Sequence, residues 1–597
     1  MKRAVALCAV VLSLSCSTSK SPRPPNASEE LRAIADEVWF RQLQDDLDAR
    51  MKLGLPIDRM PDPSYARAQR DAAMASEVLM RLKAIDASAL SEDERITLGV
   101  LRWREQLKID RLPHFWHQFQ VTPYGSEVRT INQVLGQFVF KTSEDAERYI
   151  RLLGEFGRFI DGLTAGLSEQ QRRGILIPRP ELPLVRGMFA SLNREPGQSL
   201  FNVSESRLSA LAPAERASFM DQVGNVITSS VNPSLQRLAD VLSPEYENAA
   251  PETVGLGQYP GGREAYRYLM RLHTSLDLTP EEVHQTGLRE IERIERELAA
   301  VRSDAGFHGD RAAFHHFLKT DPRFFETSSE GIRNRLQQHV TKIEPHIPRF
   351  FAMTPRAKYG VQRLDPALEG SMTFGYYQRP TPADPMGLYY FNGSKTSQRN
   401  LLFGLALMAH ELVPGHHFQI ARQEENESLH PVRRATFDTA FTEGWGEYAA
   451  ALGTDMGIYD DPYDRAGRLM MDMMLSSRLV VDTGMNALGW SRQRAMDYLR
   501  DHSMLSDTEI ATETLRYSTD IPAQALAYKI GSKRMMDLRN RAIEQLGPNF
   551  DIREFHEWVI GSGSMPLFLL EQHVGEKIRF RQDAGTSKLS PAITTTR

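Results

Sequence analysis

Apolar residues recur at helical spacing along most of the chain, beginning near residue 28. The clearest helix start is at Thr279, where a capping threonine, Pro280 and Glu282 form a capping box. The buried stripe of the helix that follows is predicted to be Leu288, Ile291, Ile294, Leu298 and Val301. A second stripe, which Pro348 ends, consists of Ile332, Leu336, Val340, Ile343 and Ile347. The pattern therefore predicts a mostly α-helical protein.

The helical pattern is interrupted between residues 359 and 393, where proline, glycine and aromatic residues concentrate. Two short runs, 372–378 and 388–392, favour strands and predict a small hairpin or sheet. An exposed strand edge can pair with an extended peptide, so Tyr389, Tyr390 and Asn392 are candidate substrate contacts. The alternative is that these side chains only pack the hairpin.

The N-terminal segment 1–27 has the features of an export signal followed by a tether. A positively charged start precedes an apolar run, 4–14, that is too short to span a bilayer. Cys16 and the proline-rich residues after it resemble a bacterial lipoprotein processing site, and an ordinary cleaved signal is the alternative. Both cysteines, Cys8 and Cys16, lie here, so the exported body forms no disulfide. We expect a lipoprotein on the periplasmic side of the outer membrane, or a periplasmic or secreted protein.

Composition and charge argue against nucleic-acid binding. The 597 residues include 72 Lys and Arg against 77 Asp and Glu, a balance that gives no field for gathering nucleic acid. We expect membrane contact through a lipid anchor only, and the sequence gives no oligomeric state. The predicted organisation is an N-terminal helical lobe (28–358), a site lobe (359–582) and a disordered tail (583–597).

The segment that carries the most chemical information begins at His410 and reads His-Glu-Leu-Val-Pro-Gly-His-His. In the usual zinc-peptidase helix, His-Glu-x-x-His, two histidines one turn apart bind the metal and the glutamate activates a water. Here Pro414 stands at the second histidine's position. Because proline and Gly415 disrupt a helix, we expect a widened turn that loops out two residues and brings His416 into that place. His417 is the alternative ligand, and otherwise a substrate-binding group.

A third ligand is expected from a second predicted helix, where Glu443 and Glu447 share one face. Glu443 follows His416 by a separation typical of zinc peptidases with a glutamate ligand. We therefore assign Glu443 as a Zn²⁺ ligand and Glu447 as the acceptor for the free ring N–H of a ligating histidine. Two such carboxylates are more often a solvated face, but the apolar residues around them indicate burial, which favours a cationic partner.

The remaining catalytic roles are assigned by chemistry. Glu411 is the expected general base, because it follows the first ligand directly and can pass a proton from water to the leaving amine. Tyr528 is the best candidate for a phenol that stabilises the developing oxyanion, with Tyr517 as a second candidate. Tyr517 and Arg516 are also candidate substrate contacts. Simple packing of both tyrosines in a helix is the alternative.

Four segments together resemble a large bacterial family, many of them lipoproteins, that is catalogued as a domain of unknown function: 410–417, 443–445, 482–484 and 522–531. The chain departs from the family pattern at Asn486, where histidine is expected, and at Ala523, where glycine is usual. The family looks like a distant relative of helical gluzincin peptidases such as angiotensin-converting enzyme and thermostable carboxypeptidases. This resemblance implies an elongated, two-lobed helical fold with a deep groove, and hydrolysis of short peptides.

These expectations combine into one main hypothesis and two rivals. The main hypothesis is a zinc-dependent metallopeptidase that cleaves short peptides with Glu411 as base. One rival is a periplasmic or surface binding lipoprotein with a structural metal, and a base beside the first ligand argues against it. The other rival is a metal-dependent amidase or esterase with a non-peptide substrate.

Overall fold

The computed structural model describes residues 26–366, 369, 375–380 and 385–587. The predicted signal segment, including Cys16, lies outside the described residues, apart from its last two positions. None of the described helices is both long enough and apolar enough to cross a bilayer.

The described part of the chain is mostly helical, as predicted. The helices of its first half are α1 Ala27–Asp45, α2 Leu47–Lys52, α3 Tyr65–Ala84, α4 Glu92–Asp110, α5 Val128–Gly136, α6 Ser143–Arg172, α7 Leu182–Leu192, α8 Pro213–Val226, α9 Asn232–Val241, α10 Pro244–Ala249, α11 Gly262–Thr274 and α12 Pro280–Asp304. Those that follow are α13 Arg311–Thr320, α14 Ser329–Ile343, α15 Ile347–Phe350, α16 Gly404–Glu411, α17 His416–Glu425, α18 Pro431–Arg434, α19 Thr439–Met456, α20 Pro462–Ala487, α21 Arg492–His502, α22 Asp507–Leu515, α23 Ala527–Leu546, α24 Ile552–Ile560 and α25 Leu567–Ser587.

Both predicted stripes are buried except for Leu288, which is only partly buried. Thr279 caps α12 in the expected capping box with Glu282. The helix of the second stripe, α14, ends at Ile343, earlier than predicted, and Ile347 begins the short α15 instead. The last helix, α25, continues to Ser587, inside the segment predicted to be disordered, and the rest of that tail lies outside the described residues.

The predicted hairpin is part of a three-stranded sheet. Its strands are β1 Lys358–Arg363, β2 Gly375–Gln378 and β3 Met386–Phe391, in the order β1-β3-β2. β3 pairs antiparallel with β2 and parallel with β1, in a register that sets Tyr389 opposite Tyr377 and Val361. β3 is therefore central, and β1 packs against α14.

The hydrophobic cores join residues from both sides of the predicted lobe boundary at 358. One core, built mainly from α5 to α11, also includes Leu479, Leu526 and Ile530. A second core surrounds α16 and α19 and includes Ile96 and Val100 of α4. In addition, α12 packs along α20 and α19 packs along α23. Packing thus fixes the site helices against both halves of the chain.

Two buried carboxyl groups lie close together where the first and second halves of the chain meet. They belong to Glu181, directly before α7, and Asp520, between α22 and α23. Both carboxylate oxygens of Glu181 lack a hydrogen-bond partner among the described residues, and the side chain is fully buried. Burial, reinforced by the nearby Asp520, raises the pKa of Glu181 to about 9. The folded protein therefore holds a proton on Glu181 that the unfolded chain releases above its ordinary pKa of about 4.5.

Replacing Glu181 with glutamine is expected to stabilise the protein at alkaline pH. Between about pH 4.5 and pH 9 the folded state binds more protons than the unfolded state, so the free energy of unfolding falls as pH rises. Glu181→Gln removes this dependence and should add about 5 kcal/mol at pH 8, about 1.4 kcal/mol for each pH unit above about 4.5, and nothing at pH 4. Denaturant titrations at the two pH values measure the difference, with the exposed Glu195→Gln as control. An equal effect at both pH values would contradict the assignment.

Candidate metal centre

The predicted metal-binding motif is a junction between two helices. α16 ends at Glu411 and α17 begins at His416, with Pro414 and Gly415 between them. A side chain at position 415 would lie 1.8 Å from the carbonyl oxygen of His410, so the tight turn requires glycine. The opening predicted at Pro414 and Gly415 is larger than a loop of two residues, because residues 412–415 are all non-helical. The helix ends there and a second helix starts at the next histidine.

Three side chains converge at this junction. The ring nitrogens and carboxylate oxygen that His410, His416 and Glu443 offer as ligands all lie within 4.8 Å of one another. Oε2 of Glu443 is 3.7 Å from Nε2 of His410 and 3.3 Å from Nε2 of His416. The two imidazole rings are nearly perpendicular, with their centroids 4.6 Å apart. The structure therefore brings together the two histidines and the glutamate that the sequence singled out.

This donor set fits a small tetrahedral cation. Two ligands that are each 2.0 to 2.1 Å from such an ion lie about 3.3 Å apart, close to the separations observed here. Nδ1 of His410 and of His416 is buried without a hydrogen-bond partner among the described residues. Burial opposes protonation of His410, but Glu443, Glu447 and Glu411 outweigh it and raise the pKa of the imidazole to about 10. The cluster thus favours positive charge at its centre.

Helix α19 shapes the cluster through two further residues, Gly446 and Trp445, to which the sequence pattern assigned no role in the site. A methyl group at Gly446 would lie 2.9 to 3.0 Å from atoms of both His410 and His416, so the helix leaves this space free for the two imidazoles. Trp445 donates a hydrogen bond of 2.9 Å from Nε1 to the carbonyl oxygen of Pro414 and so fixes the junction. The sequence did contain a signal for this arrangement: Gly446 lies between Glu443 and Glu447, and a glycine there lets other groups approach the helix closely.

His417, the alternative ligand, does not join the cluster. Its Nδ1 accepts a hydrogen bond from the Tyr377 hydroxyl at 2.9 Å, and its Nε2 donates to the carbonyl oxygen of Ala357 at 3.1 Å. Gly387 of β3 leaves room for the ring, because a side chain there would lie 2.2 Å from Nδ1. Burial lowers the pKa of His417 to about 4. Both ring nitrogens are occupied, so His417 ties α17 to the sheet.

Glu447 lies one helical turn beyond Glu443 and beside the first histidine. Its Oε2 is 3.8 Å from Nδ1 of His410 and has no hydrogen-bond partner among the described residues. Its Oε1 accepts a 2.6 Å hydrogen bond from Arg468. Arg468 therefore holds the carboxylate in an orientation from which a small movement would let it accept the free N–H of the His410 ring.

Glu411 lies at the end of α16, next to the cluster but outside the ligand set. No hydrogen bond or ion pair of its carboxylate occurs among the described residues. Burial raises the pKa of Glu411, and the adjacent His416 and His410 partly oppose this shift. A carboxylate with a raised pKa and no fixed partner is suited to accepting and releasing a proton.

Tyr528 lies against the cluster, whereas Tyr517 does not. The Tyr528 ring stacks on the His410 ring with centroids 6.2 Å apart, and the Arg478 guanidinium lies 4.9 Å above the Tyr528 ring. Burial raises the pKa of Tyr528, so its phenol remains a proton donor. The Tyr517 hydroxyl donates to Glu513 and accepts a 2.7 Å hydrogen bond from Arg478. The Tyr517 hydroxyl is thus engaged by two protein side chains.

Arg516, the other predicted substrate contact from this segment, is also engaged within the protein. Its guanidinium donates to the Gln524 side chain at 2.6 Å and pairs with Glu513 at 3.3 Å. It also lies 5.5 Å above the ring of Tyr124. These contacts stabilise the turn that leads into Tyr528.

The strand residues predicted to contact substrate lie in the sheet interior. Tyr390 is on β3, which is paired on both sides, and its ring stacks on Tyr376 at 5.5 Å. Asn392 is buried and donates a 2.7 Å hydrogen bond to the carbonyl oxygen of Glu369. Strand addition at β3 was therefore a wrong prediction, since neither of its edges is open. Tyr389 is also buried in β3, and this burial, together with the nearby Glu411 carboxylate, raises the pKa of its phenol.

The two departures from the family pattern are structural positions. Asn486 is buried and bridges separate segments: it donates to the carbonyl oxygen of Tyr517 and accepts from the Leu256 amide. Ala523 adopts a left-handed conformation with φ of 69°, which explains why glycine suits this position. Its amide donates to Asp482. Both residues thus join segments that are distant in the sequence.

The fold and site together define a mostly helical protein with a buried His-His-Glu cluster able to hold a metal ion. The chain belongs to the family described as "Bacterial protein of unknown function (DUF885)", whose model matches residues 48–574. No curated protein matches it significantly.

The fold is shared with solved structures, among them those of two bacterial proteins. One is of a "putative lipoprotein" from Colwellia psychrerythraea, 22% identical, with a TM-score of 0.84 over 93% of this chain and 100% of the other. The second is of a protein from Shewanella oneidensis with the same description and unknown function. It is 16% identical, with a TM-score of 0.72 over 92% of this chain and 99% of the other.

Proposed function

We propose that the protein is a zinc-dependent hydrolase that cleaves short peptides. The observation that carries the proposal is the convergence of His410, His416 and Glu443 beside Glu411, whose carboxylate has a raised pKa and no hydrogen-bond partner among the described residues. The first three would hold the zinc ion, and Glu447 would fix the His410 ring. When bound there, zinc would supply a Lewis acid that polarises a carbonyl group and lowers the pKa of water.

The protein residues would divide the proton transfers between them. Glu411 would accept a proton from the attacking water and deliver it to the leaving amine, and its raised pKa favours both steps. Tyr528, whose phenol stays protonated, would donate a hydrogen bond to the oxygen that gains negative charge. The low exposure of the cluster would exclude bulk water from these steps.

We also propose that the protein is a distant relative of the helical gluzincin peptidases, with a two-lobed fold and a groove that admits short peptides. Its proposed location is the periplasmic face of the outer membrane, where a lipid on Cys16 would anchor it. The description of both structural neighbours as lipoproteins supports export.

Removal of the metal is expected to abolish cleavage of short peptides. The zinc-loaded protein, the chelator-treated protein and the chelated protein with zinc restored are each incubated with a mixed short-peptide library and with amide and ester substrates. Mass spectrometry should detect peptide cleavage in the first and third samples alone. If the zinc-loaded protein cleaves no peptide, the peptidase proposal fails. Cleavage of amides or esters without peptides would assign the other reaction class.

A further inference from the structure

A network of largely buried ion pairs lies next to the metal cluster and connects α12, α19, α20 and α23. Arg468 of α20 donates a 2.6 Å hydrogen bond to Glu447 of α19. One turn further along α20, Asp472 accepts a hydrogen bond from Lys529, in the first turn of α23. The other oxygen of Asp472 accepts a 2.6 Å hydrogen bond from Arg293 of α12.

Asp472 is the centre of this network, because three cations act on its charge. Burial opposes ionisation of Asp472, but Lys529, Arg468 and Arg293 outweigh it and lower the pKa of the carboxyl group. Burial also opposes the charge of Arg468, but Glu447 and Asp472 outweigh it and raise the pKa of the guanidinium. Asp472 and Arg468 therefore both remain charged in the protein interior.

The network reaches the His410 imidazole from two sides. At one end, Oε2 of Glu447 is 3.8 Å from Nδ1 of His410, and neither atom has a hydrogen-bond partner among the described residues. At the other end, Lys529 directly follows Tyr528, whose ring stacks on the His410 ring with centroids 6.2 Å apart. The two side chains that flank the His410 ring are thus both attached to the network.

Holding four helices together is the alternative role for these ion pairs. Buried ion pairs add little net stability, because removing the charges from water costs about as much as pairing them returns. The pairing with Arg468 also leaves one oxygen of Glu447 free, and this oxygen lies beside the ring nitrogen of His410. Joining helices would not require an acceptor at that nitrogen, so the arrangement favours a role in the site.

We infer that Asp472 is a positioning residue for the metal centre: it holds Arg468 against Glu447 and anchors Lys529 next to Tyr528. Through Arg468 it orients the carboxylate that accepts the N–H of His410, which leaves the other ring nitrogen for the metal. Through Lys529 it fixes the first turn of α23 and with it the Tyr528 phenol. The effect on Tyr528 rests on the proposed function, whereas the effect on His410 requires only that the cluster binds zinc.

Zinc affinity, measured by competition with a chelating dye, tests the branch through Glu447. Asp472→Asn keeps the shape of the side chain, removes its charge and should weaken zinc binding about 10-fold. In a chain that also carries Glu447→Gln, the same substitution should change zinc affinity by less than about 2-fold, because the carboxylate through which it acts is gone. The matched control is Asp537→Asn, in a half-exposed ion pair on α23, which should leave zinc affinity unchanged.

Wild-type zinc affinity in Asp472→Asn, or an equal loss with and without Glu447→Gln, would overturn the inference. The second outcome would mean that Asp472 acts only through its charge. If Asp472→Asn does not fold, Arg468→Lys replaces it in the same comparison, with the same expected and contradicting results. This variant keeps the positive charge but loses the planar fork that orients the carboxylate.

Kinetics on short peptides test the branch through Lys529. Lys529→Met removes the ammonium group, and both of its carboxylate partners keep Arg293, so neither becomes an unpaired buried charge. The variant should lower kcat about 10-fold and leave KM and zinc affinity within about 2-fold, because only the donor to the reacting oxygen is displaced. Wild-type kcat would overturn this branch. If the unsubstituted chain binds zinc and cleaves nothing, the proposed function fails, and the zinc comparison still decides the role of Asp472.

Discussion

Glu411→Gln is expected to lower kcat for short-peptide hydrolysis by about 1000-fold, the usual contribution of a positioned general base. Glutamine has nearly the same shape but cannot accept the proton of the attacking water. Because Glu411 lies outside the His410, His416 and Glu443 set, the variant should keep its zinc. Its folding should also be preserved, since the carboxylate has no hydrogen bond among the described residues to lose.

The measurement pairs kinetics with metal analysis on the same preparation. Glu427→Gln, at an exposed glutamate just beyond α17, is the matched control and should have wild-type kcat and zinc content. A Glu411→Gln protein that contains zinc and still turns over at the wild-type rate would remove Glu411 from the mechanism. Loss of zinc would instead place the residue among the ligands.

Gly446→Ala is expected to weaken zinc binding by at least about 100-fold without unfolding the protein. The added methyl group would lie within 3.0 Å of both imidazoles, so at least one ring must leave its position. Removing a hydrogen bond that orients a ligating side chain typically lowers metal affinity 10- to 100-fold. Displacing the ligating ring itself should lower the affinity further. Alanine also favours the helix by about 1 kcal/mol over glycine, so folding should be maintained.

Competition with a chelating dye measures the affinity, and thermal unfolding of the metal-free protein measures the fold. Gly166→Ala is the control, because this glycine on α6 faces open space, and it should raise stability without changing zinc affinity. Wild-type zinc affinity in Gly446→Ala would show that the imidazoles do not need this space.

Local sequence patterns predicted the helices well, because apolar periodicity and capping residues act within one element. The capping box at Thr279 and the stripe of α12 are examples. The sheet was harder, since β1 pairs in parallel with β3 across more than twenty residues, and nothing local in either strand specifies that partner. This pairing makes β3 central and removes the edge on which the predicted peptide contacts depended.

The sequence also identified the residues of the candidate centre but not their arrangement. Spacing alone left His416 and His417 open, because the choice depends on how the chain turns at Gly415 and on hydrogen bonds from Tyr377 and to Ala357. Arg468 as the partner of Glu447 was missed, since it comes from α20, a separate helix.

The location of zinc in crystals of the zinc-loaded protein, measured by anomalous scattering at the zinc absorption edge, tests the central claim most directly. The account predicts one strong peak between α16, α17 and α19, within about 2.0 to 2.1 Å of nitrogens of His410 and His416 and close to the Glu443 carboxylate. A peak coordinated by His417, or no peak between these helices, would contradict it.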